Sequence, residues 1–472
     1  MGHNDLGYQG ACALAAAIRA KELSPVEVLE ACLRRADEVG PRLNALVWRN
    51  DEDAAAAALR AEEMVMKMAP EDLPLFLGVP LPVKDTTPVA GWPVTYGSLA
   101  APDGPSTESE LVVEALARAG FLLTGRTNVP EFGALFTSEN LRYGPTRNPW
   151  DLNRSAGGSS GGAAAVTAAG IFSIAHGNDG GGSLRVPASC CGLVGLKVSR
   201  GRVPTRYFSW EGGVVQGVLT RDVADTAAVL DVICGPDDGQ WYNAPAPERP
   251  FSTEVNANPG RLRVGLLDEA PFGLPVDDAC AQAVHEAGAA LEQLGHDVFP
   301  TTFTVPDEFL SAFLDIANSG LADYDGIDWE RAEPHIRANH QAAVGVNSLA
   351  YVRAVHLLQR LSGPIVSRWG TEFDVMLTPT LSQPPPPAGA VLAAVHASAG
   401  SGLALEVLQM SLFTAGFNVT GQPAISLPTH MSPDGWPIGV QLVGGPWAEA
   451  LLLRVSAQLE QALPWTGRRP SL

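Results

Sequence analysis

Two glycine-serine clusters lie between positions 157 and 185 and constrain the chain more than any other feature. The first is Gly157-Gly158-Ser159-Ser160-Gly161-Gly162, and the second is Asp179-Gly180-Gly181-Gly182-Ser183-Leu184-Arg185. Glycine runs admit positive φ and let other groups approach the backbone amides closely. Flexible linkers also use glycine, but among serine, threonine and proline filler. Here the glycines border apolar, helix-forming residues, Ala163 to Gly170, followed by the short run Ile171 to Ala175. Asp179 and Arg185 bracket the second cluster, which points to a rigid frame. A phosphate cradle is another use of glycine, but the first cluster lacks the G-x-x-x-x-G-K-[ST] pattern and no lysine follows it.

Three glycines directly before a serine can turn successive N–H groups inward, a nest for a developing oxyanion beside a hydroxyl nucleophile. Acyl transfer needs that arrangement. If Ser183 is the nucleophile, a base must take its proton. None of the nine histidines falls in a recognisable triad motif, and the G-x-S-x-G elbow is absent. His176, close in sequence to Ser183, remains a candidate. A buried lysine that loses its charge is the other option. Lys84 suits it, between an apolar run from Leu77 and Asp85, and Lys197 is its competitor.

The rest of the chain alternates helix and strand signals. Two helices are expected within 8–38, the second opened by Ser24-Pro25-Val26-Glu27, an N-cap with proline and acid behind it. Helices are also expected over 54–68, 108–119, 222–233, 277–294 and 448–463, and strands over 77–85, 120–125, 262–267, 297–304, 374–379, 424–428 and 438–443. Helix followed by strand suggests βαβ units and a partly parallel sheet. With 472 residues, one large body with an elaboration, or two intimate lobes, is expected.

A net charge of −20 disfavours nucleic acid and anionic membranes as partners. The six cysteines show neither a C-x-x-C pair nor zinc spacing with histidine, so they read as buried thiols of a reducing compartment. No metal or organic cofactor is implied. Residues 1–8 are polar, without a basic-then-apolar signal pattern, and the longest nearly apolar run, 163–175, is too short to span a bilayer. The expectation is a cytoplasmic protein.

These residues resemble the amidase signature family, whose catalytic set is serine, a serine with a cis peptide bond, and lysine. The match is strongest from Gly78 to Val203. Gly78-Val79-Pro80 to Lys84-Asp85 is similar to the family's lysine segment, Gly157 to Gly162 to its Gly-Gly-Ser-Ser-Gly-Gly core, and Gly181-Gly182-Ser183-Leu184-Arg185-Val186-Pro187-Ala188 to its nucleophile segment. The match returns at Phe417-Asn418-Val419-Thr420-Gly421-Gln422-Pro423-Ala424 and at Pro437-Ile438-Gly439-Val440-Gln441. The resemblance implies Ser183 as nucleophile, Ser159 as bridging serine after a cis peptide at Gly158, and Lys84 as base. It places Ser159 rather than Ser160 in the bridge, because 24 residues separate Ser159 from Ser183. It gives the oxyanion hole to the amides of Gly180, Gly181, Gly182 and Ser183.

The implied fold is α/β: a mixed, largely parallel central sheet flanked by helices on both faces, with a helical and loop cap over the cleft. Residues 1–70 would form a helical segment packed on the core, 71–205 the signature core, 206–400 a variable part with cleft and cap elements, and 401–472 the strands and helix that complete the same body. Where the family commonly has Thr-Asp-Thr-Gly-Gly-Ser, this chain has Asn178-Asp179-Gly180-Gly181-Gly182-Ser183. That variant, with Arg147-Asn148-Pro149-Trp150, resembles the branch of bacterial hydrolases of nylon oligomers and urethanes. The expected substrate is a small-molecule amide or carbamate, and the expected state a monomer or homodimer. Tyr207, Phe208 and Trp210 follow the core and are candidates for the cleft wall; packing aromatics is the alternative for them. Two rival functions are a glutamine-amidase subunit of an amidotransferase and a glycine-rich binding module without catalysis.

Overall fold

The computed structural model describes residues 3–102, 104–398 and 404–472. Its strands, in chain order, are β1 (Leu46–Arg49), β2 (Pro80–Lys84), β3 (Leu122–Thr127), β4 (Arg147–Asn148), β5 (Asp151–Ser155), β6 (Ala175–Asp179), β7 (Val194–Lys197), β8 (Val215–Thr220), β9 (Arg263–Leu266), β10 (Asp297–Pro300), β11 (Val375–Pro379), β12 (Ala424–Met431) and β13 (Pro437–Gly444). Eight of them form one sheet in the order β10-β9-β11-β13-β12-β7-β8-β6, three form a second sheet, β1-β3-β2, and β4 pairs with β5.

The α/β character and the mixed sheet hold, but the sheet is not largely parallel. In the eight-stranded sheet only β10–β9 and β9–β11 run parallel, and the other five pairings are antiparallel. A parallel pair needs a long crossover, whereas antiparallel neighbours need only a tight turn. The helix Asp278–Gln293 is such a crossover between β9 and β10, and the helix Leu111–Arg118 is another between β2 and β3, which are parallel. β12 and β13 instead join through Ser432-Pro433-Asp434-Gly435-Trp436, a polar turn that fixes an antiparallel hairpin.

The N-terminal segment has the expected helices, Ala11–Arg19, Pro25–Leu43 and Asp51–Lys67. The Ser24 capping box closes as the sequence implies, with both reciprocal bonds made. The large sheet draws strands from positions 175–220, 263–300, 375–379 and 424–444, whereas the strand within 1–70, β1, belongs to the three-stranded sheet. The proposed boundary at 400/401 lies outside the described residues. Helices Asp307–Ser319, Pro334–Gly345 and Ser348–Val366 form the elaboration beside the sheet. Among the described residues, no helix is long and apolar enough to cross a membrane.

The element that positions the site is the helix Gly161–Ala168. All eight of its residues are buried, and it packs against β2 and β3 of one sheet and β6 and β8 of the other. Its glycines and alanines allow that approach. A Cβ on Gly162 would stand 2.3 Å from the Asn128 amide nitrogen. Gly162→Ala should therefore push the helix off β3 and cost ~1–3 kcal/mol of stability, read as a lowered denaturant midpoint at unchanged slope.

Candidate active site

β2 runs beside β6, and Lys84 closes β2, a strand with all five residues buried. Lys84 has no solvent exposure. Its Nζ lies 2.7 Å from Ser159 Oγ and donates to Asn178 Oδ1 at 2.6 Å. Burial drives its pKa down to about 7, with Asp179 opposing the shift. At neutral pH this lysine is thus substantially uncharged, with a lone pair to offer.

Ser159 follows a cis Gly158–Ser159 peptide bond, as the resemblance implies. Ser138 Oγ donates to the Ser159 carbonyl at 3.1 Å and accepts from the Gly161 amide at 2.8 Å, holding this turn from the β3 side. Ser183 sits in the loop after β6. Its carbonyl accepts from the Ser160 amide at 3.3 Å, so the two glycine-serine clusters touch. Ser159 and Ser183 both line one cavity of about 1340 Å³.

The 179–185 loop is clamped from within. Arg185 and Asp179 form a buried two-pronged pair at 3.0 Å on each arm. Asp179 also accepts from the Gly182 and Leu184 amides at 2.7 and 3.1 Å. Burial alone would raise its pKa, but the charge and hydrogen bonds of Arg185, then Lys197 and Asn418, hold its carboxyl well below the usual range. Asn418 donates to the Asp179 carbonyl and to its Oδ1, both at 2.9 Å, and accepts from Arg185 at 2.6 Å. Thr414 Oγ1 donates to the Gly181 carbonyl at 2.6 Å.

This clamp corrects one expectation. The Gly182 N–H is spent on Asp179, because the loop at Gly182 (φ 139°) turns it back toward that carboxylate. The amides of Gly180, Gly181 and Ser183 have no such partner among the described residues.

Tyr207, Phe208 and Trp210 all line the cavity. Trp210 lies against Gly180 and packs edge-on to Phe313 at 5.8 Å. Tyr207 is 59% exposed and donates to Glu108 at 3.2 Å, so it belongs to the rim. Phe132, Phe136, Phe303, Phe309 and Leu412 continue the wall.

Comparison with known proteins decides the family: the Amidase family model matches residues 27–453. The chain belongs to the amidase family. It is an amide-hydrolysing enzyme. It is 37% identical to a 6-aminohexanoate-cyclic-dimer hydrolase of Pseudomonas sp. (strain NK87), over 98% of this chain and 97% of that protein. It is 34% identical to an acylamidase of Rhodococcus erythropolis, over 100% of this chain and 99% of that one. The solved structure of a 6-aminohexanoate cyclic dimer hydrolase complexed with substrate superposes with a TM-score of 0.91 at 36% identity, covering 98% of this chain and 99% of that one.

Two residues considered from sequence stand elsewhere in this amidase. His176 accepts the Lys84 backbone N–H on Nδ1 (3.4 Å) and faces Gln216 Oε1 with Nε2 (3.2 Å). Burial, and after it the charge of Lys84, push its pKa down to about 3, so it is a neutral spacer behind β2. Lys197 is buried and burial drives its pKa to about 7, but its Nζ donates to the Val198 carbonyl at 2.9 Å and, among the described residues, no serine hydroxyl is its partner. Sequence reasoning quoted Asn178 in the variant segment but gave it no role; it holds Lys84 and donates to Thr86 Oγ1 at 3.1 Å. It also gave no role to Asn418 and Gln441, although both lie in the C-terminal segments that match the family. Arg185→Leu would strand Asp179 unpaired in the interior. It should cost ~3–5 kcal/mol in chemical denaturation, far more than the loss of a surface ion pair such as that of Lys67 with Glu63.

Proposed function

We propose that this amidase cleaves C–N acyl bonds of small substrates through an acyl-enzyme on Ser183, with Ser159 as relay and Lys84 as base. The observation that carries this reading is the 2.7 Å contact between a buried lysine and the hydroxyl of Ser159, a residue that lines the same cavity as Ser183. Neutral Lys84 takes the proton of Ser159, and Ser159 that of Ser183. Ser183 attacks the carbonyl while the amides of Gly180, Gly181 and Ser183 receive the oxyanion. The relay then returns a proton to the leaving nitrogen. An amine departs badly without it, so this step sets amide competence. Water hydrolyses the acyl-enzyme, or a carbamoyl-enzyme where the substrate is a urethane. Esters, with an easier leaving group, fit the same path.

The cavity exceeds the ~300–1,000 Å³ usual for ligand pockets. Its aromatic walls favour an apolar acyl or aryl group. That relatives are named for hydrolysis of 6-aminohexanoate cyclic dimer and as acylamidase supports a small amide as substrate. The amidotransferase-subunit reading would require a partner for turnover, and the binding-module reading would require Ser183 to be inert.

The test uses the purified chain alone with a matched aryl amide and aryl carbamate, reading release of the aniline. Wild type should cleave the amide, and Ser183→Ala neither substrate. Cleavage of neither by wild type would contradict the reading and favour the partner-dependent subunit. The ratio of the two rates ranks amidase against urethanase. The pH dependence follows from Lys84. Below about 7 it holds its proton and cannot accept another, and above about 7 it is free. Hence kcat/KM should rise with pH through an apparent pKa near 7. Lys84→Ala should lose at least ~10²-fold in amide turnover, together with that limb of the profile.

A further inference from the structure

A second cluster of functional side chains lies outside the set formed by Lys84, Ser159 and Ser183. Glu333 caps the helix Pro334–Gly345, His335 lies in its first turn, and His396 lies in the last turn of the helix Ala390–Ala397. Each offers one donor atom, and the three atoms all lie within 4.8 Å of one another. Glu333 Oε2 is 3.2 Å from His396 Nε2 and 3.6 Å from His335 Nδ1. For a tetrahedral zinc-class ion the metal–ligand lengths give a ligand–ligand edge of roughly 3.3 Å. The two measured separations bracket that edge.

His335 adds an independent observation. It is 1% exposed, and among the described residues neither ring nitrogen has a hydrogen-bond partner. A buried imidazole without partners is costly, and such groups are rare without a reason. The other Glu333 oxygen is already oriented: Oε1 accepts from the Leu141 amide at 2.7 Å, while the Glu333 amide donates to Glu131 at 2.7 Å. This supporting layer fixes the carboxylate as metal sites require.

We propose that Glu333, His335 and His396 bind a divalent zinc-class cation that ties these two helices together. Two imidazoles and one carboxylate suit Zn²⁺ or Co²⁺ rather than Ca²⁺ or Mg²⁺, which favour oxygen ligands. Three protein ligands leave the fourth position to water. The bound ion would hold Glu333 beside Glu131, next to Phe132 of the cavity wall. The pattern escapes sequence inspection because His396 lies 61 residues beyond His335 on another helix.

The experiment strips the full-length protein with chelator, then titrates Co²⁺ and Zn²⁺ by equilibrium dialysis, cobalt visible absorption and thermal melting. Wild type should take up one equivalent, show the intense visible bands of four-coordinate cobalt that Zn²⁺ displaces, and melt higher with Zn²⁺. His396→Gln, at the partly exposed edge of the site, and Glu333→Gln should each weaken uptake at least ~10-fold and lose the Zn²⁺-dependent rise in Tm. Absence of the equivalent in wild type would overturn the proposal. So would uptake at wild-type affinity by either folded variant.

Discussion

The buried pair of Asp179 with Arg185 is the interaction on which the rest of the site depends. Asp179 ends β6, and its carboxylate collects the Gly182 and Leu184 amides, the guanidinium of Arg185 and the amide of Asn418. A loop of three glycines has no conformational preference of its own strong enough to fix it. The clamp supplies that fixity from outside the glycines. It reaches β13 through Gln441, which accepts from Arg185 at 2.8 Å, and the 415–420 helix through Asn418. The C-terminal segments that resemble the family therefore brace the loop, and Phe417 and Val419 of the first also line the cavity.

The same low-dielectric surroundings act on Lys84 in the opposite sense. Asp179 keeps its charge because Arg185 and three donors meet it. Among the described residues Lys84 Nζ meets only neutral acceptors, Ser159 Oγ and the side chain and carbonyl of Asn178, so burial favours its neutral form. Keeping it charged there costs on the order of 5 kcal/mol relative to water. Lys197 shows that burial alone does not make a base. It shares the depressed pKa but points at a backbone carbonyl.

Much of this was legible in the residues. The glycine-serine clusters, Lys84 and the bracketing Asp179 and Arg185 are rare chemistry in fixed local order, and local order survives folding. The terminal helices and the β12–β13 hairpin carry strong periodic or turn signals. What was not legible depends on distant partners. The direction of the Gly182 N–H is set by a side chain three residues back whose own position needs Arg185 and Asn418. The antiparallel majority of the sheet depends on which strands become neighbours, and the helix-strand alternation that correctly gives β2–β3 and β9–β10 does not report that. Asn178 stands out in sequence only as part of a variant segment, and its hold on Lys84 arises only where β2 and β6 lie side by side. Strands β6, β7 and β8 are short and glycine-bearing, with weak strand signals.

The central claim is that the acyl group passes through Ser183. Acid quenching of wild type during turnover of a slow aryl amide, followed by peptide mass mapping, tests it most directly. The account predicts an acyl mass increment on the peptide containing Ser183, formed faster than it decays and absent from the Ser159 peptide. Turnover with no adduct on Ser183, or with the increment on another residue, would contradict it.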